Sequence, residues 1–196
     1  MTLPDTPSAD ASAKERITFL SIRGAIVAGA IGGVLYGVNF GLQVLIGVFK
    51  MTGATGFISG FTVPFFLVIA SRLNRQWGTA TVIWTLYSVL AIPTALMGTP
   101  GTYKLFVGVL GGLAYDAAYC GLRCKPKALY LALLMYVLFL DIGFYAVYAL
   151  GLMPEIAGGS IIKILAVVSA VFLGEGMIST WLANIFYTRR LEPMGR

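Results

Sequence analysis

Histidine is absent from this chain, and charge of either sign is scarce: Asp, Glu, Lys and Arg together make up 11% of 196 residues. Without imidazole the commonest general base and the commonest transition-metal ligand are both missing. Only two cysteines occur, Cys120 and Cys124, in a basic segment. If that segment is cytoplasmic, a disulfide is not expected, and two thiols without histidine make a poor metal site. No Gly-x4-Gly-Lys-Ser/Thr loop is present, so this chain does not hydrolyse ATP by that route. Nor is there an internal repeat of useful strength, which weakens an inverted-repeat transporter reading. No metal, cofactor or nucleic-acid partner is expected.

What the chain has in abundance is apolar surface. Hydrophobic residues make up 58% of it, and mean hydropathy is +0.86. A soluble domain of this length needs a polar shell and does not reach that balance. Six apolar stretches stand out, over residues 22–49, 57–71, 79–97, 103–122, 128–150 and 161–187. All but the second reach the ~20 residues a helix needs to cross a bilayer. The second is short and holds Pro64, so a kinked, tilted or partly re-entrant segment is expected there. Pro93 falls near the end of the third.

The expected fold is an all-α integral membrane protein, a six-transmembrane-helix bundle. A cytoplasmic tail of residues 1–16 precedes a membrane domain of residues 17–190, and residues 191–196 follow as a second tail. Residues 1–14 are polar with no apolar centre, unlike a secretory signal. The net charge of +6 suggests orientation rather than nucleic acid, because the basic residues sit in short loops. One side collects Lys14, Arg16, Arg23, Arg72, Arg75, Arg123, Lys125, Lys127, Arg189, Arg190 and Arg196; the other has Lys50, Lys104 and Lys163. Eleven against three puts both termini in the cytoplasm, provided there are six crossings.

Small residues recur every fourth position along the first segment: Ala25, Gly29, Gly33, Gly37 and Gly41. Residues four apart share a helix face, and small side chains let a second backbone approach closely. The ridge serves either ordinary internal packing or the docking of another subunit. The fourth segment has a shorter version, Gly108 and Gly112, with Asp116 next on that face.

Three acids lie inside apolar stretches: Asp116, Asp141 and Glu175. A charge at the bilayer centre costs at least ~2.5–3.5 kcal/mol on insertion scales, so such groups face a cavity or a partner. The nearest partners in view are the polar neutrals Asn39, Gln43 and Asn184. Either these acids are buried structural groups or they serve a ligand. Trp84, Tyr87, Tyr136, Phe139, Tyr145, Tyr148 and Trp181 supply aromatic surface. Those in the outer half, with Asn39, Gln43 and Glu175, suit a flat ligand held by stacking and a few hydrogen bonds. The candidate substrate-binding residues are therefore Asn39, Gln43, Trp84, Asp141, Tyr145 and Glu175. Two central acids without a central base favour a cationic or amine-bearing heterocycle over a carboxylate.

The layout resembles the substrate-binding S components of energy-coupling factor (ECF) vitamin transporters, in size and in the order of spans. Locally the resemblance rests on Ala25-xxx-Gly29-xxx-Gly33, similar to the family's Ala-xxx-Ala motif. It rests also on KLFVGVLGGLAYD, from Lys104 to Asp116. It implies a multi-pass receptor in the cell membrane that captures a vitamin or similar micronutrient from outside. It implies as partners a transmembrane coupling subunit, docked on Ala25, Gly29 and Gly33, and two ATP-binding subunits that supply hydrolysis. It also implies a substrate site near the outer face, beneath residues 50–56 as a lid, with Asn39, Gln43 and Glu175 around it. Missing histidine argues against the family's nickel and cobalt branch.

Two other classes compete. A proton- or cation-coupled carrier would use Asp141 and Glu175, and a channel or assembly subunit would need neither. Tyr115-Asp116 and Leu140-Asp141 are faintly similar to an intramembrane aspartyl protease, whose two carboxylates share a proton, but its Gly-x-Gly-Asp motif is absent. The chain is not expected to be an enzyme.

Overall fold

A computed structural model describes residues 18–48, 54–98, 100–152 and 161–195. Each of the six apolar stretches carries a helix: α1 (Ile22–Val48), α2 (Ala54–Asn74), α3 (Thr79–Ala91), α4 (Tyr103–Gly121), α5 (Ala128–Ala149) and α6 (Ile161–Phe186). No strand occurs among the described residues beyond an isolated bridge between Phe19 and Trp77. Among the described residues three helical stretches, Ile22–Ile46, Ala128–Ala149 and Leu165–Leu191, are long and apolar enough to cross a membrane. The outer surface is apolar too, with Ile26, Val34, Val167, Val168 and Ile178 all more than half exposed. An apolar surface of this extent is consistent with a membrane protein.

The helices pack as a closed ring. Going round it, α1 touches α2, α2 touches α6, then follow α5, α4 and α3, which returns to α1. Leu35, Val63, Leu67, Ile83, Leu129 and Leu133 fill the centre. Pro64 does not break α2, which runs through it as one helix. Proline has no N–H, so the carbonyl of Gly60, one turn earlier, loses its ordinary helical donor.

At one end, the start of α1 is tied to the turn between α2 and α3. Ser21 caps α1, its Oγ accepting from the Gly24 N–H at 3.1 Å. Gln76 Oε1 accepts in turn from the Ser21 N–H at 3.0 Å, a capping box closed through space instead of along the chain. A recess of about 520 Å3 opens beside it, lined by Arg23, Val27, Leu73 and Asn74 among others. Arg72 is buried at this end with its guanidinium 4.7 Å from the Tyr187 ring centre and 4.0 Å from Glu192.

The third helix is shorter than the apolar pattern, ending at Ala91 instead of near Met97. Pro93 has no N–H to continue the ladder, and the chain turns through Met97 and Gly98, both at positive φ. What closes both ends of α3 comes from α4. Gly78 takes the N-cap position at φ 97° and has no side chain to cap with. Asp116 does it instead, accepting from the Ala80 N–H at 3.0 Å, the Thr81 N–H at 2.9 Å and the Thr81 hydroxyl at 2.7 Å. At the other end the Lys104 ammonium donates to the carbonyls of Ala91 at 2.9 Å and Thr94 at 2.5 Å. Lys104, which the charge pattern groups with Lys50 and Lys163 on the side away from the termini, is fully buried. Anion at the N-terminus and cation at the C-terminus both suit the helix dipole.

Between those two charges α4 presents glycine. A Cβ at Gly112 would lie 2.7 Å from Thr81 Cα, and one at Gly108 would collide with Ser88 and lie 3.1 Å from the Trp84 carbonyl. Lys104, Gly108, Gly112 and Asp116 thus form one stripe, four residues apart, that is the docking seam for α3. The fourth-helix motif is satisfied within the chain.

Candidate functional site

The first-helix ridge points the other way. A Cβ at Gly29, Gly33, Gly37 or Gly41 would meet nothing within 4 Å. The internal seam of α1 runs one residue out of phase, through Gly24, Ala28, Gly32, Leu35 and Asn39, all buried. At Gly32 a Cβ would lie 3.1 Å from the Ile83 carbonyl and 3.3 Å from Ile83 Cα, so here α1 and α3 need glycine to meet. One residue step turns a helix by about 100°, which separates an inward seam from an outward ridge. Ala25, Gly29 and Gly33 lie on the outward one.

The candidate ligand residues fall into three places. Asn39 is buried and its side chain is engaged: Oδ1 accepts from Thr62 at 3.0 Å and Ser59 at 3.2 Å, and Nδ2 donates to the Leu35 carbonyl at 3.1 Å. It clamps α1 to α2 and is not the partner of an acid. Gln43, one turn on, is half-buried. Across α2 from Asn39 lies Glu175, whose carboxyl occupies the space a Cβ at Gly60 would need. Its Oε2 is buried without a hydrogen-bond partner among the described residues. The neighbouring Ser179 hydroxyl donates to the Phe61 carbonyl at 2.5 Å, and Gly176 packs towards Pro64. Thus α6 sets polar groups against α2 where proline has interrupted its ladder.

Trp84 connects to this region through rings. It stacks on Tyr136 with centroids 5.1 Å apart, and Tyr136 lies 5.9 Å from Phe172, which in turn borders Gly60. On its other side Trp84 meets Tyr87 edge-on at 5.2 Å, and Tyr87 meets Tyr36 of α1 at 6.1 Å. The Trp84 indole N–H is buried without an acceptor among the described residues. These ring contacts link α1, α3, α5 and α6 across the bundle, with the Trp84 indole on α3 and the Glu175 carboxyl on α6.

Asp141 and Tyr145 do not join that cradle. Both Asp141 oxygens accept from the Ser169 hydroxyl, at 2.7 Å and 2.6 Å, on the α5–α6 side of the ring. Tyr145 is 49% exposed on the outer surface and Trp181 54%. Of the residues proposed as a lid, 50–53 lie outside the described residues, and Ala54–Gly56 begin α2. Asn184, another expected partner for the acids, has its Oδ1 buried without a donor among the described residues.

Sequence reasoning did not single out Ser59, Gly60, Thr62, Ser169 or Phe172. Glu175 stands out in the sequence as an acid inside an apolar run, whereas the signal for Gly60 is Pro64, which frees the carbonyl four residues earlier. Ser and Thr inside apolar helices are common, so nothing marked Ser59, Thr62 and Ser169 apart. Among the described residues no three of Cys, Asp and Glu gather closely enough to hold a metal ion. No family model, curated protein or solved structure matches this chain.

Proposed function

We propose that this chain is the membrane-embedded substrate-binding subunit of an ECF-type importer, capturing a vitamin or similar micronutrient outside the cell. In this reading it spans the cell membrane six times with both termini in the cytoplasm. A transmembrane coupling subunit docks on the α1 ridge, and two ATP-binding subunits drive release. The ligand is a cationic or amine-bearing heterocycle near Glu175 and the Trp84–Tyr136 stack. Asn39 serves by holding α2 in place.

The observation that carries the reading is the open ridge of Ala25, Gly29 and Gly33, with nothing opposite its glycines within 4 Å. Lipid does not drive helices together, so a smooth backbone-exposing strip is of use where another helix packs on it. The matched pair Gly29→Leu and Gly32→Leu tests this. Gly29→Leu should fold and unfold like the parent, yet lose co-purification with the coupling and ATP-binding subunits. Gly32→Leu should lose stability first, because α3 is already in contact there. Normal complex formation by Gly29→Leu, or collapse of its stability, contradicts the assignment.

A second reading has one specific observation in its favour. The Asp141–Ser169 pair is half-buried on the α5–α6 side, where a proton- or cation-coupled carrier would need a titrating group. Uptake that survives loss of the ATP-binding subunits but fails in Asp141→Asn would favour the carrier.

A further inference from the structure

The two cysteines meet at the end of α4 because of how that helix stops. The Cys124 N–H reaches back to the Tyr119 carbonyl at 3.0 Å and the Arg123 N–H to the Cys120 carbonyl at 3.0 Å, with Arg123 at φ 58°. This nested pair is a Schellman closure, and it folds the residue after the left-handed position over the last helical turn. Here that residue is Cys124, and its sulfur lies 3.7 Å from Cys120 Sγ. The thiols therefore touch without any change in the backbone.

Their surroundings differ in a useful way. Cys120 is 3% exposed, while Cys124 is only partly covered. Arg123 and Lys125 flank Cys124 in the chain, and cationic neighbours favour the reactive thiolate. Cys124 Sγ also lies 3.7 Å from the Arg75 carbonyl, which links the α4–α5 turn to the α2–α3 turn. A bridge from Cys120 to Cys124 would close a very short loop. Such a loop constrains the unfolded chain little, so the bond would be easily reduced again.

We propose that Cys120 and Cys124 form a reversible dithiol–disulfide modification site whose reagent is a low-molecular-weight disulfide. The Cys124 thiolate attacks one sulfur of the small disulfide, forming a mixed disulfide and releasing one small thiolate. Cys120 gives its proton to the small thiolate just released and attacks Cys124 Sγ, releasing the second small thiolate. Two protein thiols are oxidised to one disulfide while one small disulfide is reduced to two thiols. The two sulfurs have to close from 3.7 Å to a bond of about 2 Å. Once bridged, Cys124 has no S–H to give to the Arg75 carbonyl, so the tie between the two turns is lost. This inference is independent of the transport reading.

The test is intact-mass analysis of the full chain in lipid nanodiscs after treatment with oxidised glutathione and an acid quench. The wild type should lose two hydrogens and carry no glutathionyl group. Cys120→Ser should stop with one glutathionyl group on Cys124, since the resolving thiol is gone. Cys124→Ser should remain unmodified, because Cys120 is buried. Retention of both thiols by the wild type, a stable wild-type glutathione adduct, or ready modification of Cys124→Ser would each overturn the proposal.

Discussion

Replacing Asp116 by alanine is the sharpest probe of how this bundle is held together. The carboxylate is 1% exposed and accepts from two backbone N–H groups of α3 and one hydroxyl. Alanine leaves those donors without an acceptor in a site closed to water. Each buried unsatisfied donor costs about 1–3 kcal/mol, but the cost of burying the charge disappears with it. A lost N-cap measured elsewhere costs about 0.5–2 kcal/mol. The balance predicts that Asp116→Ala destabilises by about 2–4 kcal/mol, and that Asp116→Asn, which keeps one acceptor oxygen, costs about half as much. At the far end of α3, Lys104→Met keeps the aliphatic stem but strands the Ala91 and Thr94 carbonyls, for about 2 kcal/mol. Twelve residues of α4 hold the two charges about 18 Å apart, so the effects should add to within about 0.5 kcal/mol. Reversible unfolding in mixed detergent micelles, followed by tryptophan fluorescence, reads all four variants. The reasoning is refuted if Asp116→Ala unfolds like the parent, if asparagine is as damaging as alanine, or if the double variant is strongly non-additive.

Three further predictions use other parts of the molecule. Gly112→Ala forces a methyl against the backbone of Thr81 and should cost about 1–3 kcal/mol, whereas Gly33→Ala on the open ridge should change stability by less than about 0.5 kcal/mol; the same unfolding assay compares them. Glu175→Gln keeps size and hydrogen-bonding capacity, so the protein should fold, while affinity for a cationic ligand falls by about 1–3 kcal/mol in calorimetry; unchanged affinity assigns Glu175 to packing against Gly60. A cysteine introduced at Thr52 should be labelled on intact cells by a membrane-impermeant thiol reagent, with Cys124 protected. The reverse pattern inverts the proposed orientation.

Sequence and structure agree where the physics is local. Long apolar runs read as helices because a helix satisfies its own backbone groups, and each of the six carries one, although the third stops at Ala91. The spacing of Ala25, Gly29 and Gly33 announced a ridge, but not which way it faces. The seam through Gly24, Ala28 and Gly32 is nearly as small, and it is packing against Gln76 and Ile83 that decides between them. Asp116 looked like a costly acid because its partners, Ala80 and Thr81, lie in another helix. Lys104 was counted with the loop charges because a lysine beside a turn usually snorkels to water. Here the Pro93 turn supplies carbonyls that hold it inside. Asn39 looked available to a ligand until Ser59 and Thr62 were brought opposite it. Tertiary pairing across helices is what single-chain periodicity does not carry.

Native mass spectrometry of the protein released from its own membranes tests the central claim most directly. The account predicts an assembly of this chain with one transmembrane coupling protein and two ATP-binding subunits, and a small molecule retained by this chain. It predicts that Gly29→Leu sheds the other subunits but keeps the small molecule. A wild-type chain found alone or only with copies of itself, or a Gly29→Leu assembly that stays whole, would contradict it.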